Sequence, residues 1–210
     1  MFIGFEHPFT CLIAGPSKSG KTEFVKKLLK ALPLYVSPCP KRVVWTYGVE
    51  NKKQMEEIEN TSAVPVEFVD TIPNLDFFSS NDPNLLIIDD LMTEAGSSNL
   101  VADMFTKGSH HKNLSVILLL QNLFHQAKKM RDIHLNANYI ILTKNPRDKK
   151  QISHLARQSY PENPKFLTNA YKQCSLQPYG YLLVDFCQAT PEDNRAVTGI
   201  FPPELFKNFR

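Results

Sequence analysis

The stretch Gly15-Pro16-Ser17-Lys18-Ser19-Gly20-Lys21-Thr22 constrains this chain more than any other, because it fits the spacing G-x-x-x-x-G-K-[ST]. A loop of that spacing is built to surround phosphate. Gly15 and Gly20 let the backbone turn back so that successive N–H groups point inward, and a helix beginning near Thr22 adds its positive end. Lys21 would neutralise the outer phosphates of a nucleotide, and the Thr22 hydroxyl would ligate a magnesium ion bridging them, so ATP and Mg2+ are the expected cofactors. The flanks agree. Phe9 to Ala14 is a short apolar run of strand type, and Glu23 to Leu32 has helical spacing, with Phe24, Leu28 and Leu32 on one face and Lys26, Lys27 and Lys30 off it. A Gly-Ser turn that happens to carry a lysine gives the same short match by chance, but a match set between a strand and a helix is much rarer.

A chain of 210 residues, 42% of them hydrophobic, is long enough for one sizeable core and short for two ordinary domains. A single domain over 1–210 is expected, with a core over about 5–160 and a C-terminal helix and strand extension over about 161–210. The net charge of +3, with no dense basic tail, permits nucleic acid as a partner without requiring it. Cys11, Cys39, Cys174 and Cys187 form no C-x-x-C pair, which argues against a zinc ribbon or a disulfide framework. Apolar runs such as Val116 to Leu120 are of strand length, and Glu6, His7 and Pro8 interrupt any signal-like N-terminus. An intracellular protein with no membrane partner is the expectation.

Further strands are predicted at Arg42–Thr46, Pro65–Val69 (an edge strand, given its proline), Leu85–Asp90, Ser115–Leu120 and Tyr139–Thr143. Helices are predicted over Lys52–Asn60, Asn99–Lys107, from Asn145-Pro146 towards Gln158, and over Pro164–Gln173. A turn at Gln177–Gly180 then leads into two last strands, Tyr181–Phe186 and Ala196–Ile200, as a hairpin-type extension. Apolar strands alternating with helices imply an α/β fold: a mostly parallel central sheet covered on both faces. Right-handed crossovers then put the loop, the carboxylates after Ile88 and Gln121 on one edge.

On that edge Asp89 is the candidate magnesium ligand beside Thr22, and Asp90 the candidate for polarising the attacking water. A glutamate is commoner in the second place, so Glu94 competes with Asp90 for that role. An additional strand between the two nucleotide motifs distinguishes RecA-like (ASCE) ATPases from small-molecule kinases, and Ser115–Leu120 would be that strand. Gln121 at its end would sense the γ-phosphate or orient the water; a polar residue capping a strand fits the spacing equally well. His110 and His111 are adjacent, so their side chains diverge, and a solvated loop suits them better than a metal site. Lys128, Lys129 and Arg131 could meet a phosphate backbone or simply form a solvated face.

Together these residues resemble the packaging ATPases of the FtsK–HerA superfamily, most closely those of Polinton/Maverick elements, adintoviruses and virophages, with the poxvirus packaging ATPases more distant. The likeness spans about Phe5 to Phe186. It is carried by Pro8-Phe9-Thr10 with the phosphate loop, Leu86 to Met92, Phe105 to His111, Gln121 to Gln126 and Lys144-Asn145-Pro146-Arg147-Asp148. The resemblance implies a homo-oligomeric ring that threads double-stranded DNA into a capsid, with capsid or portal-like vertex proteins as partners, at a virion-assembly site in the host cell. Asp90 departs from the superfamily's usual glutamate. A translocase of the same superfamily not tied to packaging is the runner-up. A small-molecule kinase would want an arginine-rich lid, and a GTP-binding switch would want D-x-x-G after the magnesium strand, which Asp89-Asp90-Leu91-Met92 lacks. In a ring of this kind an arginine from one protomer would reach the γ-phosphate held by the next. Arg147 ranks first, heading a helix near the active edge in a segment that matches the family; Arg131 and then Arg157 follow. An ordinary helix-surface arginine paired with Asp148 or another acid is the plainer account of Arg147.

Overall fold

A computed structural model describes residues 4–89, 91, 98–108, 112–124 and 128–210. Six strands run parallel, in the spatial order Val66–Val69 (β5), Arg42–Tyr47 (β4), Asn84–Asp89 (β6), Leu114–Leu120 (β7), Thr10–Ala14 (β2) and Tyr139–Thr143 (β8). Every residue of β2, β7 and β8 is buried. That is what an unbroken apolar run demands, since both faces of such a strand must be covered. The faces separate by the two-residue period. Leu12, Ala14, Val116, Leu118 and Leu120 pack into one core, while Cys11, Ile13, Ile117 and Leu119 pack into the other.

The second core is roofed by Lys21–Lys30 (α1), Leu32–Tyr35 (α2) and Lys52–Thr61 (α3), through Phe24, Val25, Leu28, Leu29, Leu32 and Ile58. The first is covered by Asn99–Asp103 (α4), Met130–Leu135 (α5), Lys150–Ser159 (α6) and Pro164–Cys174 (α7). Each fully buried leucine or isoleucine contributes about 2 kcal/mol, so the two cores hold the sheet from both sides. No helix among the described residues is long and apolar enough to cross a membrane.

Beyond β8 the parallel pattern gives way to the expected hairpin-type extension. Tyr181–Asp185 (β9), Ala196–Thr198 (β10) and Lys207–Phe209 (β11) extend the sheet with antiparallel pairings, making a mixed sheet of nine strands among the described residues. The reason is the number of crossings. One helix after a strand returns the chain to the opposite edge, but α6 and α7 together return it to the edge where β8 ended, so β9 must run the other way. Phe5–Glu6 (β1) and Val36–Ser37 (β3) form a separate parallel pair. These two and β11 are too short to show a period in the sequence.

Two helix boundaries also differ. The helix expected to start at Asn145-Pro146 starts at Lys150, because Asn145 Oδ1 accepts from the N–H groups of Arg147 (3.0 Å) and Asp148 (3.1 Å) and closes a turn instead. The helix expected over Asn99–Lys107 is α-helical only to Asp103 and continues as a π-turn over Met104–Gly108. There the Thr106 hydroxyl donates to Ala102 O (2.9 Å), a back-bond that bends a helix.

At the edge opposite the phosphate loop, buried His7 places Nε2 2.9 Å from Asn113 Oδ1 and Nδ1 2.5 Å from Ser115 Oγ. Burial outweighs the Asn113 hydrogen bonds and pushes the His7 pKa below its ordinary 6.5. Burial also lowers the pKa of His134, whose Nε2 is buried without a hydrogen-bond partner. Both imidazoles are therefore neutral in the fold, and the stability tied to that state is complete above pH about 6.5 and lost as pH falls through the lowered folded values. Denaturant unfolding should show declining stability over that window, with a shallower decline in His134→Leu; identical slopes for variant and parent would remove His134 from the account.

Candidate active site

The parallel ladders bring the expected site residues to one edge. Register pairs Ala14 with Leu120 on one side and Leu142 on the other, and pairs Asp89 with Tyr47. The phosphate loop, Gln121, Thr143 and Asp89 therefore leave the sheet at the same level. As expected, β7 lies between β2 and β6, which sets Gln121 between the loop and Asp89.

The loop begins under tight constraint. Gly15 N–H donates to Leu120 O (3.0 Å), continuing the β7 ladder. A Cβ on Gly15 would lie 1.8 Å from Thr143 Oγ1 and 2.9 Å from Ser19 Oγ, so only glycine fits. The Thr143 and Ser19 hydroxyls are themselves hydrogen-bonded (2.7 Å), tying the end of β8 to the loop. Ser19 N–H donates to Pro16 O (3.2 Å), and the return into α1 passes through positive φ at Lys18 (62°) and Gly20 (97°). The first bond of α1 runs from Phe24 N–H to Gly20 O (2.9 Å), so the N–H groups of Lys21, Thr22 and Glu23 precede the helical ladder and are the ones a helix offers to an anion. Lys21 Nζ lies across the loop, donating to Gly15 O (2.8 Å) and Pro16 O (3.1 Å).

Beside the loop lies a cleft of about 290 Å3, lined by Ser17, Lys18, Lys21 and Thr22 from the loop, Asp89 from β6 and Gln121 from the end of β7. Its outer wall is Tyr47, Asn51, Gln54 and Met55. Asn51 caps α3 by accepting from Gln54 N–H (3.2 Å). Lys26, expected to point away from the core, links α1 to α3 by reaching Glu57 (2.5 Å) as well as Glu23 (2.9 Å). The donor types fit the expected cofactors: backbone N–H groups before the helical ladder and an ammonium at Lys21 are what an anion would take, and the Thr22 hydroxyl and Asp89 carboxylate are hard oxygens of the kind that magnesium would take.

Asp90, Glu94, His110 and His111 lie outside the described residues. Among the described residues, no group of three or more histidine, cysteine or acidic side chains could hold a metal. The structure does not bring the candidate arginines into the cleft of their own chain: none of the six in the sequence lines it. Arg147 sits in the exposed turn after β8, at the same edge as the loop. No ion pair joins it to Asp148 among the described residues; that carboxylate accepts from Lys150 N–H (2.9 Å) and Gln151 Nε2 (3.1 Å), bonds that hold its pKa below the usual range. Arg131 is exposed on α5 and borders a separate hollow with Phe124 and His134, and Arg157 is exposed on α6. Lys128 is exposed, and Lys129 approaches Asp132 at 4.0 Å.

Sequence reasoning missed Thr143, the outer wall of the cleft, and Gln151. Buried Gln151 accepts from Leu123 N–H (2.8 Å) and donates to Asp148, joining the segment after Gln121 to the Asn145–Asp148 turn. A polar residue amid the apolar face of α6 was the available signal.

No protein-family model matches this chain, and no curated protein matches it. Among solved structures, the genome packaging NTPase of Sulfolobus turreted icosahedral virus 2, in complex with ATP-gammaS, is similar over 96% of both chains at 15% identity, with a TM-score of 0.55. The DNA-packaging ATPase of Sulfolobus turreted icosahedral virus is similar over 98% of both chains at 13% identity, with a TM-score of 0.56. The likeness covers nearly the whole of both chains, so the fold is that of these packaging NTPases.

Gly15 and Thr143 should be energetically coupled. Gly15→Ala should destabilise the fold by about 1–3 kcal/mol through overpacking, and Thr143→Ala in the same chain should return part of that loss. Strictly additive unfolding free energies across the double-mutant cycle would contradict the close contact.

Proposed function

We propose that this chain is an ATP-hydrolysing motor that translocates double-stranded DNA into a capsid, of the kind found in Polinton/Maverick elements, adintoviruses and virophages. The observation that carries the reading is the position of β7 between β2 and β6, with Gln121 entering the same cleft as Lys21, Thr22 and Asp89. That inserted strand favours a motor over a small-molecule kinase, as does the want of an arginine in the cleft. The fold likeness to packaging NTPases favours packaging over other translocation.

In this reading the loop from Gly15 to Thr22 grips the phosphates, and Lys21 turns from its carbonyl partners to the β- and γ-oxygens. Thr22 and Asp89 hold magnesium, which when bound neutralises charge developing on the transferred phosphoryl group. Gln121 orients the attacking water, whose proton goes to Asp90 or to Glu94. The active protein is a homo-oligomeric ring working at the virion-assembly site inside the host cell, against capsid or portal-like vertex proteins. Lys128, Lys129 and Arg131 contact the DNA backbone. An arginine of the neighbouring protomer completes each site, with Arg147 first in rank because it is exposed at the active edge and its neighbour Asp148 is otherwise engaged.

Purified protein should hydrolyse ATP with magnesium, and faster with duplex DNA present. Lys21→Ala should lower turnover by roughly a hundredfold or more, and Asp89→Asn should weaken magnesium and nucleotide binding together. Hydrolysis by Lys21→Ala at the parent rate would place the chemistry elsewhere.

The shared site has its own test. Arg147→Ala should lose about a thousandfold in turnover, yet regain part of it when mixed with Lys21→Ala, because a mixed interface joins an intact loop to an intact arginine. Failure to recover in rings that still assemble would assign the role to another residue.

A further inference from the structure

The cleft beside Asp89 and Gln121 accounts for one end of a nucleotide only. Those residues lie where the terminal phosphate and the metal belong, so the sugar and base must leave the loop past Gly20 and Glu23, on the side away from β7 and β6. On that side β8 and then β9 follow β2 in the sheet, and a second cavity of about 240 Å3 opens there, lined by Gly20, Phe24, Tyr179, Tyr181 and Glu204 among others.

Tyr179 is the unexpected member. A large aromatic ring is 70% exposed, on a residue held at φ 56°, where bulky side chains are rarely found. Its position is fixed by the turn that carries it. Gly180 O accepts from Lys144 N–H (2.8 Å), Gly180 N–H donates to Gln177 O (3.2 Å), and a Cβ on Gly180 would lie 1.9 Å from Cys174 O. The ring is thereby set against the phosphate loop: a Cβ on Gly20 would lie 3.5 Å from both Cβ and Cδ1 of Tyr179. The floor of the cavity is equally ordered. Phe24 and Tyr181 pack edge to face at 5.0 Å between centroids, and the Tyr181 hydroxyl donates to Glu204 Oε2 (2.7 Å) while Lys27 Nζ meets Glu204 Oε1 (2.5 Å).

We propose that Tyr179 is the platform on which the base of the bound nucleotide stacks, with the cavity over Phe24 and Tyr181 receiving the base. This rests on the phosphate-loop reading above and assigns the end of the nucleotide which that reading leaves open. Stacking uses the face of the base, which every base has, so the platform supplies affinity more than choice between purines.

The test compares ATP with inorganic tripolyphosphate, both with magnesium, by titration calorimetry on the full chain. Tyr179→Gly removes the ring and is at ease at positive φ, so its melting temperature should not fall. It should bind ATP about tenfold or more weakly and tripolyphosphate as the parent does, while Tyr179→Phe retains the parent's affinity for both. Unchanged ATP affinity in Tyr179→Gly would overturn the platform and leave the ATPase reading standing. Equal weakening of ATP and tripolyphosphate would overturn it too, by assigning Tyr179 to the shape of the loop. A parent that binds neither would overturn the phosphate-loop reading itself.

Discussion

The hydrogen-bond ladders of β7 to both of its neighbours are the constraint on which the rest of the site depends. β7 pairs with β2 from Thr10 and Val116 to Ala14 and Leu120, and with β6 from Asn84 and Leu114 to Ile88 and Leu118. A backbone ladder permits no partial slip, because a shift of one residue would send every side chain to the wrong core. The distances among the phosphate loop, Gln121 and Asp89 are therefore fixed by backbone pairing of buried strands, and the site inherits the rigidity of the sheet. The same rigidity explains why Gly15 has no room for a Cβ: its N–H still belongs to the β7 ladder, while Thr143 arrives from β8 on the other side.

The antiparallel extension has a functional consequence as well as a topological one. With two helices between β8 and β9, the chain comes back to the active edge and turns there, at Gln177–Gly180, directly against the phosphate loop. A single helix would have returned it to the far edge and left the side of the loop away from Asp89 uncovered. The extension thus completes the wall beside Gly20, through Tyr179, Tyr181 and Glu204.

What the residues disclosed in advance is what depends on near neighbours in sequence. The loop from Gly15 to Thr22 is legible because its chemistry lies in eight consecutive positions, and the buried strands because an apolar run of five to seven residues has few other uses. The order β6-β7-β2 followed from those strands together with the general rule for ATPases. Contacts between distant residues were not legible. Ser19 and Thr143 meet across 124 positions, and nothing in either local sequence marks the meeting. Asn145-Pro146 was misread because an asparagine that closes a turn and one that caps a helix use the same side-chain oxygen, and only the downstream backbone decides between them. The direction of β9 was within reach: two helices were expected between Thr143 and Tyr181, and that number already implies an antiparallel return.

The posture of Lys21 follows from the loop's own shape. A partly buried ammonium needs acceptors, and Gly15 O and Pro16 O supply them at 2.8 and 3.1 Å. A phosphate oxygen carries a full negative charge where a carbonyl offers only a dipole, so an ammonium gains by exchanging these two carbonyls for phosphate. The loop backbone is held independently, by the Ser19 turn to Pro16, the Thr143–Ser19 hydrogen bond and the start of α1 at Gly20 O. Because these restraints do not pass through Lys21, the loop keeps its form while the lysine changes partners. Ordering of the backbone is thereby settled in folding, and little of it is left to oppose binding.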